Sequence, residues 1–276
     1  MPASPSSNGN FWYSFVYGNV RWISLSSEHP LDANSEQIAF LTSTLQQAQA
    51  ERKTTPWIIF TLHKPLYCSV EGSPHFADEL EALLLQYDVD LTLTGHMHAY
   101  ERIHPVKAGE VTVNPKKLPW GASVEGDEDG KEEAKMLGKI GLVDVYYSSG
   151  YGPVHVMQGH AGGMQVERWT YPIPAWSGFR MANGIVMPGV NYTYPYGDDI
   201  VYDLSDHSKQ LPEDLETLSL FPLKIPGDLL NGNYNYSHTY GFGYITAFNH
   251  THLLYQAIPN VDGERNHDEF WIVKKH

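Results

Sequence analysis

At 276 residues the chain is long enough for one large core or two smaller ones, and needs neither metal nor disulfide merely to fold. Its 18 Lys and Arg stand against 32 Asp and Glu, a formal charge of −14, which argues against nucleic acid or an anionic membrane surface as a partner. No apolar run approaches the roughly 18 residues that span a bilayer, and Cys68 is the single cysteine, so no disulfide forms within the chain and a partner outside it stays open.

Residues 18–25, "GNVRWISL", read as a buried strand, apolar at Val20, Trp22, Ile23 and Leu25. A helix is expected next. Asn34 with Gln37 three residues on makes a capping box, and Ile38, Leu41, Leu45 and Ala48 recur at helical spacing; Pro56 cannot continue that helix. "WIIFTLH", residues 57–63, is a short continuous apolar run of the kind covered on both faces in a parallel sheet. Ser73 then reads as an N-cap with Pro74 at the first helical position, and Phe76, Leu80, Leu83, Leu84 and Tyr87 supply a buried face. "VDLTLTG" closes a strand, helix, strand, helix, strand series, the signature of an α/β layer with a parallel sheet.

Beyond about residue 106 the character changes. Residues 107–139, including "EGDEDGKEEAK", read as a charged, solvated loop. "VDVYYSSG", "GPVHVMQG" and "YGFGYITAFNHTHLLYQAI" read as strands with aromatic faces, separated by a Tyr-, Pro- and Gly-rich insertion at about 176–235 without a period.

In α/β sheets ligands gather beyond the carboxyl ends of the strands. His63 closes the second predicted strand, and His96 and His98 follow the third, so three imidazoles are expected on one rim. Neutral imidazole is a common ligand for zinc and iron, and Gly95 just before the pair lets the backbone pass close to a metal. A three-histidine site for a single zinc with an open position is one chemistry this allows.

The words around these histidines are longer than the histidines need. "GHMHAYER", "FWYSFVYGNVRWISLSSE", "PWIIFTLHKPLYCS", "GPVHVMQGHAGG", "YGFGYITAFNHTHLLYQ" and "DEFWIVK" resemble blocks of the purple acid phosphatases, within the calcineurin-like metallophosphoesterases, with Phe60 where that family's V-x-x-H block has Val. The resemblance implies an α/β fold: residues 1–150 would be the C-terminal half of a metallophosphoesterase catalytic domain, a partial layered sheet with flanking helices, and 151–276 the family's β-rich C-terminal segment with the insertion. It implies hydrolysis of phosphate monoesters at acidic pH by Fe(III) beside a divalent Fe, Zn or Mn. Two metals polarise the phosphoryl oxygens and lower the pKa of a water between them. Carried over by motif, His63 and His96 would ligate the divalent metal and His98 the ferric ion. His75 would contact the substrate phosphate or protonate the leaving group, and Tyr100, Glu101 and Arg102 would orient the histidines.

The family's upstream blocks G-D-x-G, G-D-x-x-Y and G-N-H-E/D do not stand before His63, and "GDDIVY" at 197–202 and "GDLLNGN" at 227–233 fall on the wrong side of the histidines. The expectation is therefore a chain lacking an N-terminal half, inactive alone, with an exposed sheet edge and poor solubility. Sequons at Asn191, Asn235 and Asn249 suit a secreted, vacuolar or lysosomal glycoprotein, although "MPASPSSNGN" is no signal peptide. A non-catalytic glycoprotein whose insertion binds a ligand is the remaining alternative.

Overall fold

The computed structural model describes residues 7–70, 72–73, 77–119, 142–148, 150–161, 170, 173–181, 240–259 and 268–274. The chain opens with a hairpin. Strand β1 (Tyr13–Tyr17) pairs antiparallel with β2 (Val20–Ser24), Tyr17 opposite Val20, across a two-residue turn in which Gly18 has φ +58°. A residue without Cβ suits that conformation. Gly18 is thus the turn and not the strand start that the apolar pattern suggested.

Helix α1 (Glu36–Ala50) is capped by Ser35, whose hydroxyl accepts from the Ile38 amide at 3.2 Å. This corrects the expected Asn34–Gln37 box. Gln37 is buried and bonded elsewhere, and Ser35 sits where a short hydroxyl reaches a first-turn amide. The expected stripe of Ile38, Leu41, Leu45 and Ala48 is buried. Strand β3 (Trp57–Thr61) follows, then α2 (Ala77–Gln86) and β4 (Leu91–Thr94). Leu80 and Leu84 are buried in α2, with Leu83 and Tyr87 packed at the margin; the proposed start at Ser73-Pro74 runs into residues 74–76, which lie outside the described set.

Strand β5 (Tyr100–Ile103) leads into short pieces, β6 (Val106–Lys107), β7 (Glu110–Val111) and β8 (Lys116–Pro119). The charged stretch after 106 is therefore strand-forming up to 119, because Val106, Val111 and Leu118 give its pairs an apolar side. β9 (Leu142–Ser148), β10 (Val154–Gln158), β11 (Ser177–Met181), β12 (Gly241–Ala247), β13 (His252–Pro259) and β14 (Asp268–Lys274) complete the described elements. β11 occupies the first residues of the stretch read as an insertion, so that stretch begins as a sheet strand.

Two sheets form the frame: β1-β2-β3-β4-β10-β5-β11 and β12-β13-β14-β9-β8. β2, β3 and β4 run parallel, as the strand and helix alternation predicts, and β10 joins them parallel to β4. Ile58 and Phe60 face the helices, packed with Leu41, Leu45 and Leu84. Trp57 and Ile59 point the other way, into a core shared with Tyr255, Phe270 and Ile272 of the second sheet. Both faces of β3 are covered, which is why its sequence is apolar without alternation. Each such side chain contributes about 1.5–3 kcal/mol by leaving water. β9 pairs with β14 in the second sheet while β10 lies between β4 and β5 in the first, so the chain passes from one sheet to the other between residues 148 and 154. At the far edge β1 leaves Phe15 and Tyr17 48% and 78% exposed.

Candidate metal centre

The parallel strands bring their carboxyl ends to one rim. His63 stands two residues beyond β3 and His96 two residues beyond β4, and Gly95 N donates to His63 O at 2.8 Å, tying the two strand ends together. His63 Nε2 lies 3.1 Å from His96 Nδ1, the rings edge to face at 79° with centroids 5.0 Å apart. Two imidazole nitrogens bound about 2.0–2.1 Å from one ion are separated by about 2.9 Å at a right angle and about 3.3 Å at the tetrahedral angle. A shared proton and a shared metal ion both suit the observed spacing, so this pair fits two positions on one ion. Among the described residues no group of three His, Cys, Asp or Glu side chains stands in metal-binding arrangement. The contact is between two of the three predicted histidines.

The loop that presents them is unusual. Met97 N donates to Gly95 O and Ala99 N to Met97 O, both at 2.8 Å, so His96 and His98 each sit at the centre of a three-residue turn. His96 has φ +68°, a region His enters more readily than most side chains but at a cost of about 1–3 kcal/mol. Between them Met97 is buried with Val70, Ala99 and Met157, while His63, His96 and His98 are exposed. The alternation turns both imidazoles outward.

The glycine that permits this is not Gly95. A Cβ there would meet only His63 O at 3.8 Å, whereas at Gly159 it would lie 1.8 Å from Met97 O. The chain from β4 to β5 must cross the end of β10, because β10 is inserted between them, and Gly159 is the crossing point, its amide donating to Ala99 O at 3.0 Å. Motif reading overlooked this residue since the contact is made by topology. His160 was also missed: it follows β10 by the same two-residue interval, is fully buried, and lies edge-on to the Tyr100 ring at 5.1 Å.

Tyr100, Glu101 and Arg102 act differently from expectation. Tyr100 Oη donates to Asp268 Oδ2 at 2.8 Å. Arg102 donates from Nε to Asp268 and from its terminal nitrogens to Asp144 at 2.8 Å and Tyr146 at 2.7 Å. Glu101 faces the opposite side of the sheet, accepting from Ser69 N at 2.8 Å, and from Ser69 Oγ and Ser177 Oγ at 2.5 Å. None of these bonds reaches a predicted ligand. They clamp β5, and with it the end of the histidine loop, to the second sheet and to the segment after β3. Burial works against the Arg102 charge, but Asp268, Tyr146 and Asp144 outweigh it and raise its pKa. Burial likewise opposes the Asp144 charge, and Arg102 and Lys117 hold its carboxyl low nonetheless. Burial, with Glu101 nearby, pushes the Cys68 thiol up, leaving it an inert side chain.

His75, Asn191 and Asn235 lie outside the described residues, as do 197–202 and 227–233. Asn249 is described: its Oδ1 accepts from Thr251 N, Thr251 Oγ1 and His252 N at 2.8, 3.0 and 2.9 Å, closing the turn between β12 and β13.

Residues 4–100 match the family model of the calcineurin-like phosphoesterases, and the chain carries a segment of that class. Several proteins it is similar to are purple acid phosphatases. Purple acid phosphatase 18 of Arabidopsis thaliana is 32% identical over 66% of this chain and 35% of its own length. A nucleotide pyrophosphatase/phosphodiesterase of Hordeum vulgare is 25% identical over 99% of this chain and 53% of its own length. In fold, the structure resembles a purple acid phosphatase from seeds of yellow lupin (Lupinus luteus), with a TM-score of 0.61 at 22% identity over 98% of this chain and 34% of that one. The chain thus spans about a third to a half of the length of these proteins.

Proposed function

We propose that this chain supplies part of a dinuclear centre that hydrolyses phosphate monoesters in acid, with His63 and His96 on the divalent Fe, Zn or Mn and His98 on Fe(III). The 3.1 Å contact between His63 and His96 carries the reading, because the two residues assigned to one ion by motif are the two whose nitrogens have the spacing of ligands sharing an ion. Such ions, when bound, supply charge that stabilises the phosphoryl oxygens. The chain's own residues do the positioning. The turns around His96 and His98 aim both rings off the sheet, Met97 anchors them from beneath, and the Arg102 network stops β5 from shifting.

Two observations favour this over a ligand-binding glycoprotein with idle histidines. A non-glycine residue at φ +68° is kept at a cost, and the family match ends at residue 100, just past the histidine loop. The blocks G-D-x-G, G-D-x-x-Y and G-N-H-E/D, which would bring the carboxylates, do not stand before His63 in this sequence, so these 276 residues alone are expected to hydrolyse p-nitrophenyl phosphate no faster than their metals do. The test is loading with Zn²⁺ and Fe³⁺ followed by metal analysis and that assay at pH 5. Zinc uptake should depend on His63 and His96 and iron uptake on His98. Zinc retained by His63→Ala, or iron retained by His98→Ala, would contradict the assignment. A secretory, vacuolar or lysosomal location belongs to the same proposal, and a glycan on Asn249, removable by an endoglycosidase, is its marker.

A further inference from the structure

The loop that follows β2 reaches the same rim. Buried Gln37 holds it: Oε1 accepts from Ser26 N at 2.6 Å, and Nε2 donates to Ser26 O at 3.0 Å and to Pro30 O at 3.2 Å. Fixed in this way, Glu28 meets Lys64, the residue directly after His63. Lys64 Nζ lies 2.9 Å from Glu28 Oε1 and 3.1 Å from Oε2, straddling the carboxylate. Ser27 Oγ donates to Oε1 at 2.9 Å. Lys64 and Ser27 hold the Glu28 carboxyl below its usual range, and His63 is near enough to add to the effect. The Glu28 side chain is 60% exposed and that of Lys64 24%.

An exposed ion pair contributes little to stability, so a carboxylate in it is readily exchanged for another anion. Its position gives the pair a use. A phosphate anion approaching the His63–His96 pair would find, on the residue after His63, an ammonium held by Glu28, and would have to compete with that carboxylate for it. We infer that Lys64 is an anion-binding, specificity-determining residue of this rim, with Glu28 as its displaceable counter-ion. The identity of the anion as a phosphoester rests on the function proposed above; the charge geometry does not.

Two variants separate this role from a structural one, since each removes one charge while keeping side-chain size: Lys64→Gln and Glu28→Gln. Binding of inorganic phosphate to the full chain is measured by calorimetry at pH 6, with and without one equivalent of zinc. Lys64→Gln should weaken phosphate about two- to fivefold and Glu28→Gln should tighten it by about the same factor, the range expected for exposed charges. A structural ion pair would instead lower the unfolding temperature equally in both variants and leave phosphate untouched. Affinities that move in the same direction, that do not move, or an absence of phosphate binding in all three forms overturns the inference. Zinc uptake in the same samples keeps the two readings apart. Zinc held without the charge effects sinks this inference alone, and charge effects without zinc sink the metal reading alone.

Discussion

Replacing Gly159 by Ala tests how tightly the histidine loop is built. The added methyl would lie 1.8 Å from Met97 O and 2.7 Å from Met97 C, with His98 Cα at 3.4 Å. All three are backbone atoms, so no side chain can swing aside, and one of the two segments must shift by more than about an ångström to reach ordinary contact. Overpacking of this kind costs about 1–3 kcal/mol. The shift also breaks the 3.0 Å bond from Gly159 N to Ala99 O, adding about 0.5–1.5 kcal/mol. The total, about 1.5–4.5 kcal/mol, corresponds to a fall in unfolding temperature of roughly 3–18 °C for a domain of this size. Differential scanning calorimetry reads that fall directly. Gly95→Ala is the control, because its methyl meets only His63 O at 3.8 Å, and it should cost less than about 1 kcal/mol. If Gly159→Ala unfolds within a degree of wild type, or Gly95→Ala is equally damaging, the crossing does not constrain the loop.

Stability should fall as acid is added below pH 6.5. Burial lowers the His104 pKa to about 4 and that of His155 to about 3, so below the ordinary value near 6.5 the unfolded chain binds protons that the folded chain does not. The loss grows by up to about 1.4 kcal/mol per pH unit for each such histidine and levels off below the folded values. Chemical denaturation at pH 7, 6, 5 and 4 checks the slope, and an imidazole of either residue titrating above pH 5 in the folded protein would contradict it. Asp268→Asn should destabilise by about 3–5 kcal/mol, since it leaves Arg102 buried with half its pairing; a midpoint unchanged in urea would show the network to be dispensable. Tyr17→Lys, at a position 78% exposed on the edge strand, should raise the concentration at which the chain precipitates without changing its unfolding temperature.

The elements that could be read from sequence are those whose pattern is local. The α1 stripe, the two-faced apolar run of β3 and the series of parallel strands all depend on residues within one element, and the rim position of His63 and His96 follows from strand order. What escaped depends on distant partners. The β1 strand hid behind Gly18, whose role as a turn shows only when Tyr17 is seen opposite Val20. Insertion of β10 between β4 and β5 is a pairing across more than fifty residues, and the Gly159 crossing descends from it; the roles of Tyr100 and Arg102 depend on β9 and β14 of the other sheet. Arg102 was read as a support for the histidines from its place in "GHMHAYER"; its partners, Asp144 and Asp268, are 42 and 166 residues away. Gln37 carried the right polarity for a cap and was taken by the Ser26 loop instead.

The central claim is that His63 and His96 share one metal ion. Titrating zinc into the chain with ¹⁵N-labelled histidine, while following the imidazole nitrogens by NMR, tests it most directly. His63 Nε2 and His96 Nδ1 should shift together and saturate at the same equivalent of zinc, and either His63→Ala or His96→Ala should abolish the shift of the other. Zinc that moves one of these nitrogens and not the other, or that moves neither, would contradict it.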